Sequence, residues 1–399
     1  MTQTRHGNRT PEGRKKALVA GAGIGGLTAA VALREAGFDV TVHERASELR
    51  AAGSGLSVMS NAITALRSLE AGIELEKHGR VLETYHVRTA GGRLIREFPF
   101  PDIISRLGVP SVLITRSDLQ QALLDAAAGI PLTLGSQVAG YEREESGGVR
   151  VTFENGTEEH ADVLVGADGF HSAVRRQLVG AGEESTDSGY IVWLAVLPFS
   201  HPHFAPGSVT HYWGSGKRFG MVDMGDGRLY WWGTKNMPAA ESHAWQGGKE
   251  DVRRAYAGWA PVVQDAIDAT PEESILAVPS RDRPFLERWG SGPVTLLGDA
   301  AHPMLTSLGQ GSGMAIEDAV VLARNLRGAA DIPRALRRYE DERRERTRGM
   351  VAASRAISTF EQSEGPVRKA VRDAYFRFLP RNRLTRTLED ALTFTAPSA

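Results

Sequence analysis

The chain has 399 residues, 47 Lys and Arg against 48 Asp and Glu, a formal charge of −1 and no cysteine. That length exceeds one ordinary core, so about two domains are expected. The absence of cysteine excludes disulfides, thiolate metal sites, a Cys nucleophile and a cysteinyl-linked cofactor, and the interspersed charge makes no case for nucleic acid or an anionic membrane as partner.

The first sixteen residues are polar and basic without an apolar core, so they do not form a secretory signal. Residues 1–14 read as a disordered tail, and the cytoplasm is the expected compartment. No stretch approaches a membrane span; Asp299 and His302 interrupt the most apolar run near residue 300.

A short apolar strand, Ala17 to Ala20, leads into Gly21, Gly23 and Gly26 in G-x-G-x-x-G spacing. A helix then runs to about Ala36 and stops at Gly37, and a second strand, Asp39 to His43, ends at Glu44. Each part has a task in dinucleotide binding. Gly21 permits the tight turn, Gly23 lets a pyrophosphate approach the backbone, and Gly26 lets helix and strand pack closely. The helix N-terminus offers free N–H groups to phosphate. Glu44 suits a ribose diol and disfavours a 2′-phosphate, so FAD or NAD is indicated.

Further along, Arg116 precedes a helix with Ser117 as its expected N-cap; it is compatible with a pyrophosphate or ribose contact and equally with a helix-face ion pair. Asn155-Gly156 joins two alternating runs into a hairpin, whose return strand is read as running on to Ala167-Asp168-Gly169. Asp168 would bond ligand hydroxyls or cap the helix that begins at Ser172 to Arg175. From Tyr190 to about Arg281 the chain becomes aromatic: six of its seven tryptophans lie there. Residues 208–236 read as three strands with turns at Gly214–Gly216 and Gly225–Gly227. Such a sheet walls an apolar pocket, although any single ring is better explained as core. Arg218 either anchors an anionic substrate or pairs with Asp223 on the surface.

The segment "VTLLGDAAHPMLTSLGQGSGMAIEDA" reads as a strand, Val294 to Leu297, then a glycine-rich entry to a helix near Met314 to Leu326. Gly298 would allow close backbone approach to a ligand, and Asp299 would bind a sugar-like hydroxyl. Bare amides at Gly309, Gln310 and Gly311 would stabilise negative charge on a reduced flavin edge. His302 reads as a structural hydrogen-bonding residue. The stretch "RALRRYEDERRERTRG" reads as a solvated helix face.

Three strings in this order, "GAGIGG" with Glu44-Arg45, "GADGFHSAVR" and "GDAAHPMLTSLGQGSGMAIEDA", resemble the single-component (group A) flavin-dependent aromatic hydroxylases. The resemblance spans about Lys16 to Leu379 and looks most like the branch with urate hydroxylases and zeaxanthin epoxidases. It implies an α/β fold: a Rossmann-like, GR2-type FAD-binding domain, an inserted, mostly antiparallel substrate sheet, and a helical C-terminus. The expected division is residues 15–75, 100–178 and 286–330 for FAD, 76–99 and 179–285 for substrate, and 331–399 for the C-terminal helices.

By the same resemblance, non-covalent FAD would be held by Gly21, Gly23, Ile24, Gly25, Gly26 and Glu44, with Arg45 and Arg116 at the adenosine and phosphates. Asp168 would serve FAD and transient NADH or NADPH. Asp299, Pro303 and Gly309, Gln310, Gly311 and Ser312 would hold the ribityl chain and ring. Arg218, Tyr230 and Trp232 would face the substrate, an aromatic or polyene small molecule. Family members pass one oxygen atom from a flavin C4a-hydroperoxide to such a substrate, hydroxylating or epoxidising it. A dehydrogenase without oxygen insertion and a non-catalytic FAD sensor are the competing readings. A monomer or homodimer is expected, and no metal, nucleic acid or membrane span. Thr306 to Leu308 stand where a proline is common, and Gly313 where a larger residue is usual. No residue is identifiable as a general base.

Overall fold

A computed structural model describes residues 13–49, 54–145, 147–180 and 183–395; the first twelve residues of the expected tail lie outside the described residues. In chain order, β1 (Lys16–Ala20), α1 (Ile24–Glu35) and β2 (Asp39–His43) are followed by β3 (Gly55–Val58) and α2 (Ser60–Arg67). Next come β4 (Arg80–Val81), β5 (Thr84–Thr89), β6 (Leu94–Phe98), α3 (Phe100–Leu107), β7 (Val112–Thr115) and α4 (Arg116–Ala126). The chain continues through β8 (Leu132–Thr133), β9 (Val138–Arg143), β10 (Val149–Phe153), β11 (Glu158–Ala161), β12 (Val163–Gly166) and α5 (Ala173–Val179). The aromatic region supplies β13 (Thr186–Pro198), β14 (Ser208–Trp213), β15 (Lys217–Asp223) and β16 (Arg228–Asn236), then α6 (Ala239–His243), α7 (Lys249–Ala255), α8 (Pro261–Ala269) and β17 (Leu276–Asp282). Last are β18 (Gly290–Ser291), β19 (Val294–Leu296), α9 (Gly311–Leu326), α10 (Ile332–Glu361), α11 (Pro366–Phe378) and α12 (Arg381–Leu392).

Two large sheets organise the molecule. One has the order β18-β19-β12-β1-β2-β8 and is parallel except at β18. Its central strands read as unbroken apolar runs, "ALVA", "VLVG" and "VTL", which is what a sheet covered on both faces requires. The other has the order β17-β13-β16-β15-β14-β5-β6 and is antiparallel except where β5 meets β14. Helices α7 and α8 cover one face over Trp193, Phe219, Trp231 and Tyr256. The three strands and two glycine turns expected within 208–236 are present as read.

Three local expectations need correction. Thr115, not Ser117, caps α4, accepting from Asp118 N at 3.1 Å. The hairpin's return strand does not run on to Asp168. It ends at Ala161, and β12 joins the parallel sheet instead, because Asp162 clamps the chain to β1: its carboxylate accepts from Lys16 N at 2.7 Å and its N–H donates to Lys16 O at 2.9 Å. The Arg/Glu-rich stretch of α10 is only half solvated. Glu340, Arg343 and Thr347 are buried beside Leu336, Tyr339 and Met350, since α9 brings buried carboxylates that need counter-charges.

Candidate active site

Gly21, Gly23, Glu44, Arg45, Arg116 and Asp168 line one cleft across the C-terminal ends of β1, β2 and β12, the crevice where open α/β sheets take ligands. The glycines divide their tasks. A Cβ on Gly26 would lie 1.9 Å from Gly21 O, and one on Gly21 (φ +105°) would lie 2.4 Å from Ala167 O. A Cβ on Gly23 would meet nothing within 4 Å. Gly23 is therefore the position that leaves room for a ligand, and the other two serve close packing. Gly25 and Ile24 turn their Cβ side inward, since a Cβ on Gly25 would strike Leu297 and Ala315 and Ile24 is buried, while their amides lie in the first turn of α1.

Glu44 shapes the turn by accepting from Ala22 N (2.8 Å) and Ala46 N (3.0 Å), each oxygen retaining a free lone pair. Asp168 meets the start of α5, one of its two expected roles. One oxygen accepts from Ala173 N at 2.7 Å at the start of α5, while Oδ1 is buried without a protein partner. Burial raises its pKa above the ordinary carboxylate value, with Ser172 and Ala173 pulling it back. Arg116 and Arg45 are exposed in the cleft and form no ion pair with the described residues.

The second end of the site lies after β19. Asp299, just past β19, is exposed to solvent; desolvation raises its pKa, opposed by His302 and Arg116. Arg116 lies within electrostatic range of Asp299 without forming an ion pair with it. Gly298 (φ +60°) permits close packing rather than ligand approach, for its Cβ would lie 2.9 Å from Ala315. Gly309's amide is not bare, since it donates to Thr306 O at 2.9 Å. The amides of Gly311 to Gly313, in the first turn of α9, are the ones a helix leaves free. Ser312 lies in that turn, and Pro303 is buried in the preceding loop. Gln310 turns its side chain inward to Asn61 of α2, accepting from Nδ2 at 3.0 Å.

Beneath this loop runs a buried ionic network absent from the sequence reading. Arg343 donates to Asp318 (2.6 Å) and Glu317 (2.7 Å), and Asn61 donates to Glu317 at 2.7 Å. His302 Nε2 lies 2.6 Å from Asp318, in the structural role expected. Although burial opposes it, His302 and Arg343 bring the Asp318 carboxyl down to about 2. Arg175, in the string "HSAVR", braces the same loop by donating to Ala300 O (3.0 Å) and Ala301 O (2.9 Å). Its place in the second shared string was the available signal.

The other wall is the face of the second sheet turned away from α7 and α8. Tyr230 lies against Gly55 and Met224, and Trp232 lies across Gly220, where any Cβ would fall within 2.2 Å of the indole. Arg218 does not pair with Asp223 on the surface. It is buried and ion-paired to Glu361 of α10, with Gln362 accepting from Nε at 2.9 Å. The guanidinium sits 5.2 Å from the Trp232 ring and 5.9 Å from Tyr190. Asp223 instead accepts from Gly207 N and faces Arg80. The sequence reading missed Tyr85 and His211, whose hydroxyl and ring nitrogen stand 3.1 Å apart, with His211 edge-on to Trp232 at 4.8 Å. Burial, with Arg218 adding to it, drives the His211 pKa down to about 3. A cleft of about 1060 Å³ between β13 and α10 reaches Tyr190 and Gln362, both neighbours of Arg218.

The family described as "FAD binding domain" matches residues 14–354. The aurachin C monooxygenase/isomerase of Stigmatella aurantiaca is 36% identical over 384 residues, covering 95% of this chain and 98% of that protein. The FAD-dependent urate hydroxylase of Klebsiella pneumoniae is 35% identical over 342 residues, 85% of this chain and 88% of the relative. Zeaxanthin epoxidase of Solanum lycopersicum is 34% identical, over 84% of this chain and 53% of the relative. Among solved structures, Klebsiella pneumoniae HpxO complexed with FAD and uric acid superposes with a TM-score of 0.88 at 30% identity, over 95% of this chain and 96% of that one.

Proposed function

The chain belongs to the FAD-binding domain family, and from that premise we propose that it is an FAD-dependent monooxygenase, using NADH or NADPH and O₂ to hydroxylate or epoxidise an unsaturated small molecule. The observation that carries this reading is the line of ligand-ready groups from Glu44 and Arg45, past Gly23, Arg116 and Asp168 Oδ1, to Asp299 and the first turn of α9. An orphaned buried carboxylate oxygen and open space over Gly23 fit a polar, extended dinucleotide. In this reading Glu44 takes the adenosine ribose, the α1 N-terminus and Arg116 the phosphates, and Asp299 the ribityl section. Once bound, FAD supplies hydride acceptance and oxygen activation.

The same reading assigns residues 15–75, 100–178 and 286–330 to the cofactor domain and 76–99 with 179–285 to the substrate domain. It is supported by β5 and β6 joining the sheet of β13 to β17 although about a hundred residues separate them.

The protein's share of the chemistry is to exclude water and orient the substrate. Tyr230 and Trp232 offer it an apolar surface. Because Glu361 pairs with Arg218, that guanidinium is not free to meet an anion, which favours a neutral aromatic or polyene substrate. His211, neutral above about pH 3, offers with Tyr85 one polar contact in that wall.

The test is turnover under ¹⁸O₂ with candidate aromatic and polyene compounds. The reading expects substrate-stimulated NAD(P)H oxidation and a product carrying one ¹⁸O atom. Stimulated oxidation with an unlabelled product would establish the dehydrogenase alternative, and flavin binding without turnover would leave a sensor.

A further inference from the structure

Helix α11 turns an apolar face outward. Val367, Val371, Tyr375 and Phe378 are 73%, 60%, 54% and 77% exposed. With Ala370 and Ala374 they recur at i, i+3, i+4, i+7, i+8 and i+11, a spacing that ordinarily marks a buried stripe. Leu94 on the edge strand β6 extends it, since Arg377 donates to the Leu94 carbonyl at 3.3 Å.

The helix itself is firmly held. On its inner face, buried Arg372 donates to Gly214 O (2.9 Å) and Glu361 O (2.8 Å) and lies 5.1 Å from the Trp213 ring. Phe376 meets Trp213 edge-on at 4.8 Å. A stripe about 20 Å long is therefore presented to solvent by an anchored helix.

Charge identifies what suits it. Between Pro366 and Arg386 there are seven basic residues and one acidic residue, Asp373. Asp373 is taken by Lys369 and Arg372, and Arg381 pairs with Asp102. Arg368, Arg377, Arg383 and Arg386 form no ion pair among the described residues. The chain-wide balance of −1 conceals this local excess. We propose that α11 and the start of α12 dock on an anionic lipid surface, the stripe entering the headgroup region and the arginines meeting lipid phosphates.

Other occupants fit less well. A second copy related by a two-fold axis would set this positive surface against itself. Outside the described residues the given sequence has one large apolar side chain, Met1, and so holds no apolar segment to match the stripe. The location adds a consequence. Glu364 and Arg368, at the start of α11, also line the 1060 Å³ cleft that reaches Tyr190 and Gln362. Docking would hold the mouth of that cleft near the lipid, where a neutral apolar substrate partitions.

The test uses the flavin-loaded full chain with vesicles of phosphatidylglycerol and phosphatidylcholine, or of phosphatidylcholine alone. Co-sedimentation with the anionic vesicles is expected, weakening as salt rises. Val371→Asp with Phe378→Asp should reduce it about tenfold or more, and so should Arg383→Glu with Arg386→Glu; flavin content and thermal stability should stay unchanged, since these side chains face solvent. Vesicle binding needs no turnover, so its outcome is separate from that of the oxygenation reading. Equal binding by the Asp variant, or no binding by the wild type, would overturn the proposal. A dimer in sedimentation velocity that the Asp variant dissociates would assign the stripe to a second copy instead.

Discussion

The two walls of the candidate site are built on opposite principles. The nucleotide side is backbone: glycines spaced over six residues, helix amides, and short acidic side chains at strand ends. The sheet side is made of side chains from β5, β14, β15 and β16, backed by α7 and α8 and held at Arg218 by Glu361 of α10. Backbone geometry tolerates no added atoms at its contact points, whereas a side-chain wall can be rebuilt if its charges stay paired. A family can therefore keep one wall and vary the other.

The harshest way to break that contrast is on the nucleotide side. Gly26→Val places a Cβ 1.9 Å from Gly21 O and should cost about 4 kcal/mol or more, read as loss of bound flavin and a lowered melting temperature. Gly23→Ala, three residues away, meets open space and should leave the unliganded protein's stability unchanged while flavin affinity falls. Equal behaviour of the two variants would erase the division of labour between these glycines.

On the sheet side, Glu361→Ala leaves Arg218 buried and uncompensated, at a cost of about 3–5 kcal/mol. Arg218→Met with Glu361→Leu should recover most of it, as denaturant unfolding would show. Failure of that rescue would mean that the pair is not interchangeable with packing.

A pH experiment sharpens the comparison further. With its pKa lowered from 6.5 to about 3, His211 stays neutral when folded while the unfolded chain takes up a proton. Stability is complete above pH 6.5 and is lost as pH falls toward 3, by about 2 kcal/mol at pH 5. Asp318, lowered from 3.8 to about 2, keeps its contribution at pH 5 and loses it only as pH falls from about 4 toward 2. The wild type should therefore lose stability between pH 7 and pH 5 by more than His211→Gln does. Parallel curves would place the acid-sensitive group elsewhere.

The mildest change is Thr115→Ala, which removes the cap of α4 and should cost about 1 kcal/mol in thermal unfolding. Flavin affinity should fall only slightly, because Arg116 keeps its place on the first turn.

Legibility followed the range of the forces involved. The β1–α1–β2 unit was readable almost to the residue, since periodicity, glycine spacing and a terminal acid lie within thirty residues. The hairpin at Asn155-Gly156 was equally plain, but not its exit at Asp162, which depends on Lys16, 146 residues away. At Gly25 and Gly298 the sequence shows a missing side chain but not Leu297 and Ala315, the neighbours a Cβ there would strike. Tyr85 and His211 carried no local signal at all.

By itself the sequence determined the nucleotide-binding turn, the buried parallel strands and the aromatic sheet, because each is a rule of backbone geometry or hydrophobic period satisfied within a few residues. Only the tertiary structure decided that Arg218 belongs to Glu361, 143 positions later, that half of a charged helix is buried, and that an apolar stripe on α11 faces outward. A buried charge or an apolar face is defined by what packs against it, and that partner is chosen by the fold.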